Sequence, residues 1–273
     1  MPTAAIDGIQ LNYEVHGTGE PVLMIMGLAV GLVGWRLQVE DLAGDEFQLC
    51  VFDNRGVGKS TAPRPPYSMA RLAADALDLM DHLGWQRAHV VGVSMGGMIA
   101  QHVALTAADR VRSLTLIATH AGGWGGRPTR TAVGGVISAH LSGSARLRRR
   151  ALIAMLHSKQ HLEEVGQEAI EARLKETILH NPPPRFGMLG QVSAVLRHRT
   201  HHRLSELASL PALVITGTAD AMVRPANSIT IAAAIEAELL QFEGGGHAIH
   251  VEQREAVSAA LRRHFKGALA LAV

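Results

Sequence analysis

Short apolar segments alternate with amphipathic helical periods over most of this 273-residue chain. A short, uninterrupted apolar run is typical of a strand buried on both faces, and such strands need helices to cover them. The pattern therefore predicts an α/β fold, in which a mostly parallel central sheet carries helices on both faces. The predicted strands are Val22–Met26, Phe47–Phe52, Ala88–Val93, Ser113–Ala118, Ala212–Thr216 and Leu239–Phe242, and the predicted helices are Arg71–Leu83, Met95–Leu105 and Ala256–Phe265.

The alternation stops between Gly122 and Leu207, where only helical periods are found. Helices are predicted over Leu147–Met155, Val165–Leu179 and Phe186–Leu196, with a break at the run Asn181-Pro182-Pro183-Pro184. We therefore expect two units. Residues 1–121 and 208–273 form the α/β core, and residues 122–207 form an inserted helical cap. At the other end of the chain, the Asp7-Gly8 pair between two isoleucines predicts a tight hairpin before the first central strand.

The composition favours a folded enzyme-sized domain over other classes of protein. Hydrophobic residues make up 47% of the chain and charged residues 18%, which excludes charge-driven disorder. A net charge of +2 gives no reason to expect a nucleic-acid partner, and the longest uncharged run, Pro21–Trp35, is too short to span a bilayer. The single cysteine, Cys50, and the absence of a basic leader before Asp7 favour a cytoplasmic location. The sequence leaves open whether the chain forms a homo-oligomer.

The segment Gly92-Val93-Ser94-Met95-Gly96 ends one predicted strand and begins a predicted helix. A nucleophile on such a sharp turn adopts strained backbone angles, and the two glycines omit side chains that would collide across it. The Ser94 hydroxyl would then stand above the sheet edge, at the positive end of the helix. The alternative interpretation is a small buried serine at a glycine-rich junction.

A serine hydroxyl needs a base to take its proton, and the base needs an acid to fix its tautomer. Asp220 follows the predicted strand Ala212–Thr216, and His247 follows the last predicted strand after three glycines. The order serine, aspartate, histidine is the order expected for a hydrolase of this kind. His250 is an alternative base, and an acid after Ser113–Ala118 is excluded because residues 119–122 contain none.

Acyl transfer also needs hydrogen-bond donors for the oxyanion. The Met95 amide follows the nucleophile directly, and the Gly27-Leu28 turn after the first central strand offers the Leu28 amide as a second donor. Gly27 is equally compatible with a simple strand end.

These residues resemble those of the α/β-hydrolase fold superfamily over nearly the whole chain. The blocks that match in order and spacing are Gly27-Leu28, Phe52 to Ser60, Gly92 to Gly97, Gly217 to Asp220 with Val223 and Pro225, and Gly246-His247. The chain is most similar to the capped branch of small carboxylesterases, enol-lactone hydrolases and polyketide methylesterases. It departs from many members at Met26, where they carry a histidine, and Ser94 distinguishes it from members with an aspartate nucleophile.

The resemblance implies a serine hydrolase that acts on a small-molecule carboxylic ester or lactone and needs neither a metal nor another cofactor. Alternatives are carbon–carbon bond hydrolysis or cofactor-free perhydrolysis by the same three residues, and a non-catalytic small-molecule-binding role. Four apolar residues in or near the cap are candidates to line an acyl pocket, although core packing explains them equally well: Trp124, Phe186, Met188 and Leu189.

Two further patterns are assigned structural roles. Gly56-Val57-Gly58-Lys59-Ser60 resembles the end of a phosphate-binding loop, but Asp53 stands where that loop needs a glycine and prolines follow where it needs a helix. The histidines His198, His201 and His202 lack the spacing of a metal-binding helix, and we expect them to be exposed.

Overall fold

The computed structural model describes residues 2–123, 126, 129, 144–177 and 181–270. Eight strands form one sheet in the order β1-β2-β4-β3-β5-β6-β7-β8. All pairs from β4 to β8 are parallel, whereas β1 pairs with β2 and β2 pairs with β4 in the antiparallel sense. The strand bounds are β1 Thr3–Ile6, β2 Ile9–His16, β3 Glu20–Ile25, β4 Phe47–Phe52, β5 Ala88–Val93, β6 Val111–Ile117, β7 Ala212–Gly217 and β8 Glu238–Phe242.

The predicted hairpin at the start of the chain is present. Ile6 pairs with Ile9, and the two residues between them, Asp7 and Gly8, have φ angles of +43° and +74°. Two consecutive positive φ angles match the right-handed twist of the flanking strands, and an Asp-Gly pair adopts them readily. The hairpin leaves β2 along the antiparallel edge of β4, so the parallel strands that follow it occupy the centre of the sheet.

Ten α-helices are found within the described ranges. Their bounds are α1 Arg36–Leu42, α2 Met69–His82, α3 Met95–Thr106, α4 Ala145–Leu156, α5 Lys159–Val165, α6 Gln167–Glu176, α7 Arg185–Arg197, α8 Pro225–Ala234, α9 Ile249–Glu252 and α10 Arg254–Ala270. None of them is both long and apolar enough to pass through a bilayer.

Helices cover both faces of the sheet, as the alternation of the sequence predicts. Leu23 and Val90 face the core under α2, α3 and α8, whereas Val22 and Val91 face the core under α1 and α10. Neighbouring residues of a strand point to opposite faces, so continuous apolar runs fill both cores at once. The mostly parallel α/β architecture predicted above is therefore confirmed.

Beyond residue 143, the described part of the segment between β6 and β7 contains the four helices α4 to α7, and we call these helices the inserted segment. The helix predicted over Val165–Leu179 is present as α6, Gln167–Glu176, whereas Val165 belongs to the end of α5. Gly166, with φ +84°, separates α5 from α6 there, because this left-handed backbone conformation ends a helix. The sequence patterns do not predict the short helix α1 or the alanine-rich helix α8.

Candidate active site

Ser94 lies in a strained turn between β5 and α3. Its φ and ψ angles are +54° and −119°, a combination that residues other than glycine rarely adopt. The glycines on either side are required by close packing: a Cβ added to Gly92 would lie 2.2 Å from the Gly96 carbonyl oxygen, and one added to Gly96 would lie 2.0 Å from the Ile25 carbonyl oxygen. The turn holds Ser94, which is partly exposed, at the carboxyl edge of the sheet.

Neighbouring chain segments fix the backbone of Ser94 on both sides. Its amide donates to the Ile117 carbonyl at 2.8 Å, and its carbonyl accepts from the Thr119 hydroxyl at 2.7 Å. Both partners belong to the end of β6 or to the residues just after it, so the strained turn is anchored to the neighbouring strand. The sequence contains no pattern that singles out Thr119 for this role.

His247 lies between Ser94 and Asp220. Its Nε2 is 3.0 Å from the Ser94 Oγ, and its Nδ1 is 2.8 Å from the Asp220 Oδ2. The His247 side chain is 5% exposed and that of Asp220 is fully buried. Because a carboxylate can only accept, the imidazole proton belongs on Nδ1, which leaves Nε2 able to accept the serine proton. The structure thus brings together three side chains that follow β5, β7 and β8.

The second carboxylate oxygen of Asp220 is also fully engaged. Its Oδ1 accepts from the backbone amides of Met222 and Val223, each at 2.8 Å. Because both amides hold Oδ1, Oδ2 is the oxygen that accepts from His247. The carboxylate is therefore fixed in a single orientation.

The loop that carries His247 is held by a buried carboxylate. Glu252, at the end of α9, accepts from the Gly246 amide at 2.8 Å, from the Ser158 amide at 2.9 Å and from the His157 Nδ1 at 3.2 Å. Burial raises the pKa of Glu252, but these three hydrogen bonds outweigh it and the pKa lies below its usual value. The histidine loop and the inserted segment therefore share one anchor.

The side chain of His250, the alternative base considered above, is buried in the core. Its ring packs against Trp35 with centroids 5.4 Å apart, and its carbonyl accepts from the Gln38 side chain at 2.7 Å. Burial lowers the pKa of His250 to about 3, so the ring is neutral at ordinary pH. The geometry favours His247 as the base.

The turn after β3 places Gly27 against Ser94, since a Cβ added to Gly27 would lie 3.2 Å from the Cβ of Ser94. We call residues 26–31 the oxyanion loop, after the role predicted for the Leu28 amide. Within the part of the chain that the structure describes, the amides of Leu28 and Met95 donate to no other group. Both amides can therefore donate to another group, and one lies on the oxyanion loop while the other follows Ser94 directly at the start of α3.

The segment that resembles a phosphate-binding loop supports the oxyanion loop instead. Asp53 accepts from the backbone amides of Leu32 and Lys59 at 2.8 and 2.9 Å, and from the Asn12 side chain at 2.8 Å. Asn54 donates to the Met26 carbonyl at 2.9 Å. Met26 itself is buried in the core under α1 and α10.

Comparison with known proteins identifies the family. A sequence profile of the alpha/beta hydrolase fold matches residues 20–253. The chain belongs to the alpha/beta hydrolase family. RutD of Azorhizobium caulinodans, a proposed carbamate hydrolase, is 30% identical over 265 residues that cover 91% of this chain and 92% of that protein.

Two solved structures with this fold are informative about its range of activities. The enol-lactonase from Burkholderia xenovorans LB400 superposes with a TM-score of 0.83 and 26% identity, over 97% of this chain and 100% of its own. A thermophilic esterase from Thermogutta terrifontis superposes with a TM-score of 0.81 and 28% identity, over 97% of each chain. Hydrolytic activity is thus supported for this member of the alpha/beta hydrolase family.

The four residues predicted to line an acyl pocket are only partly described. Trp124 lies outside the described residues. Phe186 and Leu189 lie on α7 with 46% and 47% of their surface exposed, and Met188 between them is partly buried. Their role in substrate binding stays a prediction for this alpha/beta hydrolase.

The histidine-rich segment is not uniformly exposed. His201 and His202 are exposed as expected, but the expectation is wrong for His198, which is 4% exposed and whose Nε2 donates to the His120 carbonyl at 3.0 Å. Burial lowers the pKa of His198 to about 3 and that of His120 to about 4. In the described part of the chain, no three His, Cys, Asp or Glu side chains group so as to hold a metal ion.

Proposed function

We propose that this protein is a serine hydrolase that cleaves a carboxylic ester or a lactone through an acyl-enzyme on Ser94. The observation that carries the proposal is the continuous relay of hydrogen bonds from Asp220 through His247 to the Ser94 hydroxyl, at 2.8 and 3.0 Å. Such a relay activates a serine because the imidazole can take its proton while the buried carboxylate stabilises the imidazolium.

In the first half-reaction, the Ser94 Oγ forms a bond to the substrate carbonyl carbon and its proton passes to the His247 Nε2. The carbonyl electron pair moves onto oxygen, where the amides of Leu28 and Met95 would bind it. Each such donor lowers the barrier by about 3 to 4 kcal/mol. The bond to the leaving alkoxide then breaks, and His247 returns its proton to the leaving oxygen.

In the second half-reaction, water loses a proton to His247 as its oxygen attacks the acyl carbon. The tetrahedral intermediate collapses, the bond to Ser94 breaks, and Ser94 regains a proton from His247. One water is consumed for each ester bond cleaved, and the acid leaves. The inserted segment is proposed to act as a cap over this edge of the sheet and to select the substrate.

The ester and lactone substrates are supported by the likeness to the enol-lactonase and the esterase. Carbamate cleavage is a second candidate, favoured by the 30% identity to RutD. The same attack on a carbonyl carbon serves both reactions, and only the leaving group and the acyl substituent differ. A panel of p-nitrophenyl esters, lactones of increasing ring size and a p-nitrophenyl carbamate separates the candidates by kcat/KM.

The test of the nucleophile is Ser94→Ala, combined with labelling by a fluorophosphonate. We expect the wild-type protein to be labelled at Ser94 and the variant to lose about a millionfold in kcat. Hydrolysis by Ser94→Ala within tenfold of wild type would refute the proposal. Carbon–carbon bond hydrolysis and peroxide-dependent halogenation are assayed beside the panel. Either activity would change the substrate class but would leave the proposed roles of Ser94, Asp220 and His247 unchanged.

A further inference from the structure

Helix α7 of the inserted segment packs on the core with backbone in direct contact. A Cβ added to Gly187 would lie 1.9 Å from the Gly56 carbonyl oxygen, and one added to Gly190 would lie 2.3 Å from the Tyr67 ring. Neither glycine has a positive φ angle, so backbone conformation does not explain why glycine stands at these positions. The close approach of the neighbouring groups explains it at both. The next residue along the helix, Gln191, is therefore carried into the core.

Gln191 is fully buried and forms a hydrogen bond at each end of its amide. Its Oε1 accepts from the backbone amide of Ala29 at 2.9 Å, and its Nε2 donates to the Arg55 carbonyl at 3.1 Å. An N–H on one side and a carbonyl on the other allow only one orientation of the amide. Ala29 is 162 positions away in the chain, on the oxyanion loop.

Ala29 has an unusual backbone conformation, with φ +65°. A non-glycine residue keeps such a conformation only where its surroundings impose it. The amide that Gln191 holds belongs to the peptide unit that links Leu28 to Ala29. The direction of that peptide sets the ψ angle of Leu28, and through it the direction of the neighbouring Leu28 amide, the proposed oxyanion donor.

We propose that Gln191 is a positioning residue for the oxyanion loop. This inference rests on the proposed function, because it assigns the held loop to oxyanion binding. Gln191 touches no reacting atom in this account. It keeps the Leu28 amide aimed at the place where the oxyanion develops, so the inserted segment contributes to catalysis as well as covering the site. A displacement of about 1 Å at such a donor is enough to lose about a hundredfold in rate.

The alternative is that Gln191 only docks α7, and Ser193 on the same helix separates the two roles. The Ser193 Oγ accepts from the Tyr67 amide at 2.9 Å and donates to the Gly190 carbonyl at 2.6 Å. Ser193→Ala thus removes a docking contact of α7 without removing any hydrogen bond to the oxyanion loop. It is the matched control for Gln191→Met, which keeps the side-chain length but loses both hydrogen bonds.

The experiment measures kcat and KM for the best ester, inhibition by an alkylboronic acid and the pH dependence of kcat/KM. For Gln191→Met we expect a 10- to 100-fold lower kcat, a KM within twofold and boronic-acid inhibition weakened by a similar factor. The boronic adduct of Ser94 presents an oxygen to the same donors. We expect the pH profile of kcat/KM to keep its shape and position, and all three measurements for Ser193→Ala to stay within twofold of wild type.

A conservative variant tests the acceptor itself. Gln191→Glu keeps an oxygen opposite the Ala29 amide, and because burial favours the protonated acid its O–H can donate to the Arg55 carbonyl. We expect it to recover at least fivefold of the kcat lost by Gln191→Met. If Gln191→Met does not fold, Gln191→Asn carries the test, because its amide is one methylene too short to reach both partners and kcat should fall at least tenfold.

Two results would overturn the inference while leaving the proposed function intact. One is a folded Gln191→Met variant with kcat within threefold of wild type, and the other is an equal loss in Ser193→Ala. The proposed function fails in a different way, through wild-type protein that a fluorophosphonate does not label or a Ser94→Ala variant that stays active. The two failures are therefore distinguishable.

Discussion

The Cα of Gly96 lies so close to the Ile25 carbonyl that a Cβ would stand 2.0 Å from its oxygen. This contact joins the first turn of α3, which follows Ser94, to the end of β3, which leads into the oxyanion loop. The same added Cβ would also lie 2.9 Å from the Met26 carbonyl oxygen. All these neighbours are backbone atoms, which cannot rotate away as a side chain can.

We therefore expect Gly96→Ala to force α3 and β3 apart. The predicted cost is about 3 kcal/mol in the free energy of unfolding, the upper part of the range for overpacking. We expect hydrolytic activity to fall as well, because the same movement would separate Ser94 from the Leu28 amide. Chemical denaturation and kcat measure the two effects. Gly44→Ala is the control, since a Cβ there meets nothing within 4 Å. Unchanged kcat in Gly96→Ala would contradict the expectation.

Asp220→Asn should lower kcat by about 10⁴, as a wrong histidine tautomer does in serine hydrolases. The two backbone amides on Oδ1 force the asparagine oxygen to keep that position, so its NH₂ group faces the His247 Nδ1. The imidazole proton then moves to Nε2, which can no longer accept the proton of Ser94. Steady-state kinetics at several pH values test this. A loss below tenfold would show that the tautomer is fixed by another group.

The structural features that the sequence predicts well are those that depend on neighbouring residues in the chain. The strand Ala88–Val93 and the turn at Ser94 are predicted to the residue because apolar runs and flanking glycines are local signals. The positions of Asp220 and His247 follow from parallel strands, whose carboxyl ends meet at one edge of the sheet. Their catalytic roles remain proposals.

The remaining determinants are contacts between distant parts of the chain. Gln191 meets Ala29 across 162 positions and Glu252 meets Ser158 across 94, and neither residue carries a local pattern that sets it apart from an ordinary helical Gln or Glu. The burial of His198 is of the same kind, because its surroundings come from residues near His120 as well as from its own segment. A helical period predicts which residues share a face, but not which distant segment that face will meet.

Glu252→Gln should destabilise the protein by about 2 kcal/mol near neutral pH, since a charge-assisted set of hydrogen bonds is lost. An amide cannot accept from Gly246, Ser158 and His157 together, because its NH₂ group must face one of these donors. The pKa of Glu252 is lowered by folding, so its contribution is present above its unfolded value and is lost as pH falls through the lower folded value.

The difference in unfolding free energy between wild type and Glu252→Gln should therefore shrink as pH falls below about 4.5, the ordinary pKa of a glutamate. Urea denaturation at several pH values measures it. Glu255→Gln removes the same charge from an exposed position three residues on, and it serves as the control. A difference that is constant with pH would mean that Glu252 is not ionised in the folded protein.

Buried histidines are expected to make the protein less stable as the pH falls. Burial lowers the pKa of His89, His198 and His250 to about 3 and that of His120 and His264 to about 4, whereas the unfolded chain takes up these protons near 6.5. Between those values the unfolded state binds more protons, so stability falls as pH falls. Each such histidine contributes a slope of up to about 1.4 kcal/mol per pH unit.

His89→Gln tests one of these histidines singly. His89 is fully buried, its Nδ1 is 2.8 Å from the Ser113 Oγ, and its ring stacks on Phe265 with centroids 4.7 Å apart. Glutamine keeps a hydrogen-bonding group for Ser113 but takes up no proton. The plot of unfolding free energy against pH should therefore be less steep between about pH 4 and 6, by the amount that corresponds to about one proton taken up on unfolding. His202→Gln, at an exposed position, should leave that slope unchanged. An equal slope in wild type and His89→Gln would mean that His89 is protonated in the folded protein, and that its burial does not exclude the charge.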